Sequence, residues 1–324
     1  MRKRLITVLS GLAMAIAIGL VPSTSAQAEP DIDTVQGRVD RLYHEAEQAS
    51  ERYNDAKLEL DALKRDLDSL RADQKRQDAD LGAVREQVKD SMLRQFEGQG
   101  ISAVGEVFVS DDPGAFLSQL STMSSYTSYQ DALLDDYADE VQALDIRRTA
   151  TAKRLAQVEK TEERLAAEKA TIEEKHAEAE SLLDRLKEEE RAEVVSRGGT
   201  TVPSSVPASG RAAAAVQYAL AQVGDAYVYG AAGPSAWDCS GLTMVAWAQA
   251  GVALPHSSSA QYSSGARVSS SDLQPGDLVF YYSPISHVGM YIGNGLIVHA
   301  ANPSSGTRVA ELYSMPYVGA VRPG

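Results

Sequence analysis

The chain of 324 residues holds a single cysteine, Cys239. One thiol excludes a disulfide within the chain and any zinc site made of cysteines alone. Basic clusters are equally scarce. Lys and Arg number 31 against 45 Asp and Glu, a net charge of −14, and the one basic cluster is Arg2-Lys3-Arg4. Nucleic-acid affinity comes from neutralising phosphates, so a nucleic-acid partner is excluded as an expectation. Proline is almost absent over a long stretch, with only Pro113 between Asp31 and Val202. Aromatic residues make up 6% of the chain, and the mean hydropathy is −0.25. That composition excludes a polytopic membrane protein, while 44% hydrophobic residues argue against a wholly disordered chain.

The uncharged apolar run Leu5–Val21 follows the basic triplet and precedes Ala26-Gln27-Ala28. A positive n-region, an apolar core and a small-x-small site describe a secretory signal peptide over residues 1–28. An uncleaved anchor is the alternative, at the short limit for a spanning helix. Either reading takes the rest of the chain out of the cytoplasm, to a secreted or wall-associated place.

Residues 29–197 carry nearly all the charge and a sustained 4–3 apolar spacing: Val35, Val39, Leu42, Ala46, Ala49, Tyr53, Ala56, Leu60, Leu63, Leu67 and Leu70. A second series runs Leu134, Tyr137, Val141, Leu144, Leu155, Val158, Leu165, Ile172, Ala179, Leu183 and Leu186. Two heptad series joined by a break predict a long antiparallel helical hairpin, its arms ~60 residues and so roughly 90 Å long. Glu, Lys and Arg on the outer faces read as solvated surface. At the break, Asp112-Pro113 reads as an N-cap and first helical residue. Phe108, Phe116, Leu117 and Leu120 then form an apolar tip, which either caps the coil or docks a partner.

Residues 198–210, rich in Gly, Ser, Thr and Pro and without charge, read as a flexible linker. Beyond it, residues 211–324 carry only four basic and five acidic side chains, the mark of a separate compact domain. A helix is expected over 212–223 and strands over 277–282, 287–292, 296–300 and 317–321. Trp237-Asp238-Cys239-Ser240-Gly241 precedes an apolar run, which places Cys239 at a helix start. There the helix dipole and unpaired N–H groups favour a thiolate. Gly293-Asn294-Gly295 reads as a hairpin turn. A three-residue loop puts His287 and His299 on one face as diagonal neighbours; a two-residue loop separates them. A nucleophilic Cys239, a base His287 and an orienting His299 would suit acyl transfer. Zinc on Cys239, His287 and His299 is the competing reading, weakened by the lack of a fourth ligand. No cofactor is otherwise implied.

Several stretches in order resemble the NlpC/P60 family of cell-wall cysteine peptidases. They are Val223–Gly230, Asp238-Cys239-Ser240-Gly241-Leu242, Leu254–Gln261, Leu273–Phe280, His287–Gly295 and Ile297–Ala300. The resemblance implies an α+β papain-like fold for the C-terminal domain. It also implies Cys239 as nucleophile, His287 as base and His299 as third member, with Tyr227, Asp238 and Ser240 lining the substrate cleft. Ala226 stands where the family usually has proline, Tyr229 and Trp237 replace other aromatics, and His256 stands where arginine is common. The implied substrate is the peptidoglycan stem peptide, cut between D-γ-glutamate and diaminopimelate. In relatives of this architecture the coil holds the enzyme inactive or docks on an FtsEX-type membrane complex. A non-catalytic activator of other wall hydrolases, or an amidase or acyltransferase on the same fold, are the alternatives. The spacer would let the coil fold back over the Cys239 cleft.

Overall fold

Two helices built on those heptads dominate the computed structural model, which describes residues 32–96, 113–186, 188, 200–203 and 205–324. Helix α1 spans Ile32–Phe96 and α2 spans Pro113–Leu183. At 65 and 71 residues, each is roughly 100 Å long. Cross-helix ion pairs fix the direction: Arg38–Glu178, Arg52–Glu168, Lys64–Glu162 and Arg148–Asp78 descend along α2 as they ascend along α1. The helices are therefore antiparallel. Val35, Val39, Leu42, Ala179 and Leu183 close the seam at one end, and Leu60, Leu63, Leu67 and Val158 close it further along.

Three residues expected in the seam lie outside it. Leu134, Val141 and Leu155 are exposed, while Leu144 is buried as expected and Leu133, not in the series, is buried as well. A straight helix of 3.6 residues per turn drifts against a strict seven-residue repeat. The facing stretch of α1 is polar around Gln74 and Gln77, so little apolar surface holds the second series in register. The leader at residues 1–28 and Phe108 of the tip fall outside the described residues. For Phe116, Leu117 and Leu120 only the helical backbone is described.

After the hairpin, Thr200 donates its N–H to the Val309 carbonyl at 2.9 Å, and Val206 and Ala208 pack on the domain core. The segment expected as a free spacer is thus partly bound to the domain. Helix α3 (Gly210–Ala221) leads into the short parallel pair β1 (Ala226–Tyr227) and β2 (Ala236–Trp237), then α4 (Cys239–Gln249) and the single turn α5 (Ser258–Gln261). Strands β3 (Ala266–Val268), β4 (Leu278–Tyr281), β5 (His287–Gly293), β6 (Leu296–Asn302), β7 (Gly306–Glu311) and β8 (Tyr317–Arg322) follow. They form one antiparallel sheet in the order β3-β8-β4-β5-β6-β7.

All four residues of β4 are buried, because apolar clusters cover both faces of the sheet. Leu278 and Phe280 join Val288, Met290, Leu242, Trp237 and Trp247 on the helical side. Val279 and Tyr281 join Ile297, Ala310 and Leu312 on the other. This frame holds α4 across the strands that carry the two histidines.

Candidate active site

Asp238 sets the site from the helix end. Its carboxylate caps α4 by accepting from the Gly241 N–H at 2.6 Å, and it also accepts from the Gly230 N–H at 3.0 Å. That makes Cys239 the first helical residue, as its spacing predicts, and buries it. Close backbone packing fixes the turn further: a Cβ on Gly241 would lie 2.2 Å from the Ala231 carbonyl oxygen. His256 Nε2 sits 2.8 and 2.9 Å from the two Asp238 oxygens. Burial alone would lower the His256 pKa, but the hydrogen bond and charge of Asp238 raise it.

The histidines come from the β5–β6 hairpin. Asn294 and Gly295 both have positive φ, +55° and +72°, which a two-residue primed turn requires. A register shift between Tyr291 and Gly293 then restores the pairs Met290–Val298 and Tyr291–Ile297. Those are the pairs a three-residue loop would give. The bulge thus reconciles a two-residue turn with two histidines on one face. His287 Nε2 lies 2.7 Å from His299 Nδ1, with the rings at 89°. Burial, the nearby His287 and Arg308 all depress the His299 pKa, so its ring is neutral. Tyr227, buried beside them, has no hydrogen-bond partner for its hydroxyl among the described residues.

Helix α1 enters this site. Glu47 Oε1 is 2.5 Å from His287 Nδ1. One turn on, Glu51 Oε2 accepts from the Ser258 N–H at 2.5 Å and the Ser258 hydroxyl at 2.6 Å, while Oε1 accepts from Ser240 Oγ at 2.8 Å. The same Oε1 lies 3.7 Å from Cys239 Sγ. Asn54 donates to Asp238 Oδ2 at 3.1 Å, and Asp55 accepts from the Ser257 and Ser259 hydroxyls at 2.5 and 2.9 Å. On the other side, His44 stacks on Tyr282 at 3.9 Å between centroids, and Ser304 donates to Tyr43 Oη at 2.7 Å. What is left of the cleft is a cavity whose lining includes Tyr43, Glu47, Tyr227, His287, His299 and Arg308.

These contacts set the protonation of the site. Burial would raise the Glu47 carboxyl, but the charge and hydrogen bond of His287, aided by His44, hold it below the usual range. Glu51 goes the other way: burial and then the Asp238 charge push it up to about 7, against the hydrogen bonds of Ser258 and Ser240. Burial, with Glu51, Glu47 and Asp238, pushes the Cys239 thiol well up, and the Val288 amide opposes this only weakly. In this arrangement the thiol stays protonated. One donor atom each from Glu47, Cys239 and His287 lie within 4.8 Å of one another, a set able to hold a metal ion.

The structure therefore brings together all six residues singled out from sequence: Cys239, His287, His299, Tyr227, Asp238 and Ser240. Sequence reasoning allowed the coil to fold over the cleft but did not identify the residues of α1 that enter it. It assigned the charged face to solvent, yet Glu47, Glu51 and Asn54 are buried. One signal was available. Glu47, Glu51 and Asp55 recur every four residues, and like charges one turn apart destabilise an isolated helix. Such a stripe asks for a partner.

Residues 224–320 match the NlpC/P60 family profile. A probable endopeptidase of Mycobacterium tuberculosis is 51% identical over 107 residues, 33% of this chain and 28% of that one. One from Corynebacterium glutamicum is 44% identical over 118 residues, 36% of this chain and 56% of that one. The chain thus spans between about a quarter and just over half of these relatives. The crystal structure of the NlpC/p60 domain of the peptidoglycan hydrolase SagA matches at 34% identity, with a TM-score of 0.33. It covers 34% of this chain and 97% of that one.

Proposed function

Since residues 224–320 are an NlpC/P60 domain, we propose that the chain is an exported peptidoglycan endopeptidase. It uses Cys239 to cut the D-γ-glutamyl–diaminopimelate bond, and α1 holds it inactive. The observation that carries the reading is the line of three side chains at one cleft. Cys239 Sγ is within 4.8 Å of a His287 ring nitrogen, and His287 Nε2 is 2.7 Å from His299 Nδ1.

With α1 withdrawn, His287 Nδ1 is free to take the Cys239 proton, and the helix start stabilises the thiolate. Neutral His299 accepts the His287 Nε2–H and holds the ring in that tautomer. The thiolate attacks the amide carbonyl, and the Tyr227 hydroxyl, buried and unpartnered, supplies a donor for the developing oxyanion. Burial, then Glu47 and Cys239, push the Tyr227 pKa far up, so it stays a donor. The imidazolium returns its proton to the leaving amine. Water, deprotonated by His287, then releases the acyl group.

Support for an acidic substrate comes from the helix itself. Glu51 lays a carboxylate in a cradle of the Ser258 N–H and the Ser258 and Ser240 hydroxyls, beside the nucleophile. A γ-linked D-glutamate carries a free α-carboxylate close to its scissile bond, and that group fits the same donors. The closed site also speaks for control by α1. His287 is occupied, and the thiol is surrounded by carboxylates. The coil and its tip then serve to localise the enzyme, with an FtsEX-type complex as the partner that would draw α1 away.

The test is digestion of purified stem-peptide muropeptides, read by mass spectrometry. The opened variant Glu47→Ala/Glu51→Ala should yield a new diaminopimelate amine end, and addition of Cys239→Ala should abolish it. Folded, opened protein that cuts no wall fragment would instead support a non-catalytic activator.

A further inference from the structure

We propose that the closed form carries a zinc site made of Glu47 from α1 and Cys239 and His287 from the C-terminal domain. By binding there, Zn²⁺ ties the helix across the catalytic pair. The donor atoms lie within 4.8 Å of one another and all three residues are buried. Zinc is four-coordinate with bonds of about 2.0 to 2.3 Å to N, O and S, so its ligand atoms stand about 3 to 4 Å apart. The triplet already falls near that spacing. The 2.5 Å contact between Glu47 Oε1 and His287 Nδ1 must open by about 1 Å as the ion replaces the proton between them. Binding exchanges that proton and the thiol proton for one ion.

Three further features favour a cation here. The His287 ring is already oriented, because its Nε2 faces His299 Nδ1 at 2.7 Å, the outer contact that metal-bound histidines require. Acidic oxygens crowd the thiol, with a Glu47 oxygen within 4.8 Å of Sγ. The fourth position is bordered by Glu51 Oε1, 3.7 Å from Sγ. A thiolate, an imidazole and a carboxylate select zinc over calcium or magnesium, which take oxygen ligands. Neither half of the chain offers the set alone. Cys239 and His287 alone lack the carboxylate that α1 supplies, so the closed form gains most from the ion, and the ion shifts the population toward closure.

Metal binding is independent of the peptidase reading; its inhibitory consequence rests on it. The experiment is therefore a binding one on residues 29–324, by calorimetry with Zn²⁺ and absorption with Co²⁺. One ion per chain and a sulfur-to-cobalt charge-transfer band are expected. Cys239→Ser should remove the band and weaken Zn²⁺ at least 100-fold. Glu47→Gln should weaken it at least 10-fold, with the fold checked by circular dichroism. Glu47→His, which keeps a ligand and removes the carboxylate, should bind within 10-fold of wild type. Lack of binding by the wild type overturns the site. Equal affinity in Glu47→Gln overturns the role of α1, and loss of binding in Glu47→His reduces Glu47 to a charge. A zinc site without cleavage activity would sink the inhibitory reading and leave the metal site standing.

Discussion

His287 Nδ1 lies 2.5 Å from Oε1 of Glu47, 240 residues earlier in the chain. The ring edge that a catalytic thiol needs is thus turned toward a carboxylate borne on a coiled-coil helix. Glu51, one turn along, fills the donor cradle beside Cys239. Two acids on one helical face therefore occupy both the base and the substrate side of the cleft.

That pairing predicts de-repression. Hydrogen bonds to charged groups contribute about 1.5–3 kcal/mol each. Removing Glu47 and Glu51 together should raise the cleavage rate of the metal-free full chain by at least ~10-fold. Asn54→Ala, which removes a donor to Asp238 and its longer contacts to Ser240 and Glu51 but leaves both acids in place, should raise it less. The rates of the three proteins on one muropeptide decide it. Equal rates would mean that docking of α1 does not limit activity.

Closure should also depend on pH. Docking raises the Glu51 carboxyl from 4.5 to about 7, so the docked state holds a proton that the free helix releases. Docking is then strongest in acid and weakens as pH rises from 4.5 to about 7, by up to ~10-fold per unit within that window, with no further loss from Glu51 above it. Asp238, Cys239 and His256 face Glu51 from the domain. His256, whose pKa is raised mainly by Asp238 against burial, acts in the same direction, because its deprotonation leaves Asp238 uncompensated. With chelator present, a fluorophore pair on α1 and the domain should separate progressively as pH rises from 4.5 to about 7. Glu51→Gln, which mimics the protonated acid, should stay closed throughout. A wild type insensitive to pH would contradict the assignment.

His299 acts through His287. In an opened background, His299→Ala should lower kcat ~100-fold or more with KM little changed, and His299→Asn should recover part of it by restoring an acceptor for His287 Nε2–H. A change confined to KM would place His299 in substrate binding.

The domain was legible because its signals are local. The apolar run after Cys239 marks a helix start whatever surrounds it, while the shared face of the two histidines was open in the sequence because it depends on the bulge between Tyr291 and Gly293. The hairpin arms were legible from their heptads. The exposure of Leu134, Val141 and Leu155 was not, since it depends on what α1 offers opposite them. Strands β3 and β7 were not expected either. Arg267, flanked by Ala266 and Val268, and Arg308, between Thr307 and Val309, give neither segment a clean apolar alternation. The acids that close the cleft were hidden for a related reason: Glu47 and Glu51 look like solvated residues until the domain that neutralises their cost is placed against them.

Gly241 offers the sharpest test of how the nucleophile is held. A methyl group there meets the Ala231 carbonyl at 2.2 Å and Asp238 Oδ1 at 2.9 Å. A backbone oxygen cannot turn aside as a side chain can, so the start of α4 must move, and Cys239 moves with it. Overpacking of this kind costs about 1–3 kcal/mol. A shift of even about 1 Å at a reacting atom costs ~100-fold in rate. Gly241→Ala should therefore lose far more activity than stability. Leu278→Ala is the counterpart. Its side chain is fully buried in the core on β4, which carries none of the catalytic residues, and its loss should destabilise the domain by about 2–5 kcal/mol. While the protein remains folded, kcat should stay within a few-fold. Melting temperature and kcat, measured on both in the opened background, separate the two effects. If Gly241→Ala kept full activity, the close approach at Ala231 would not be what positions Cys239.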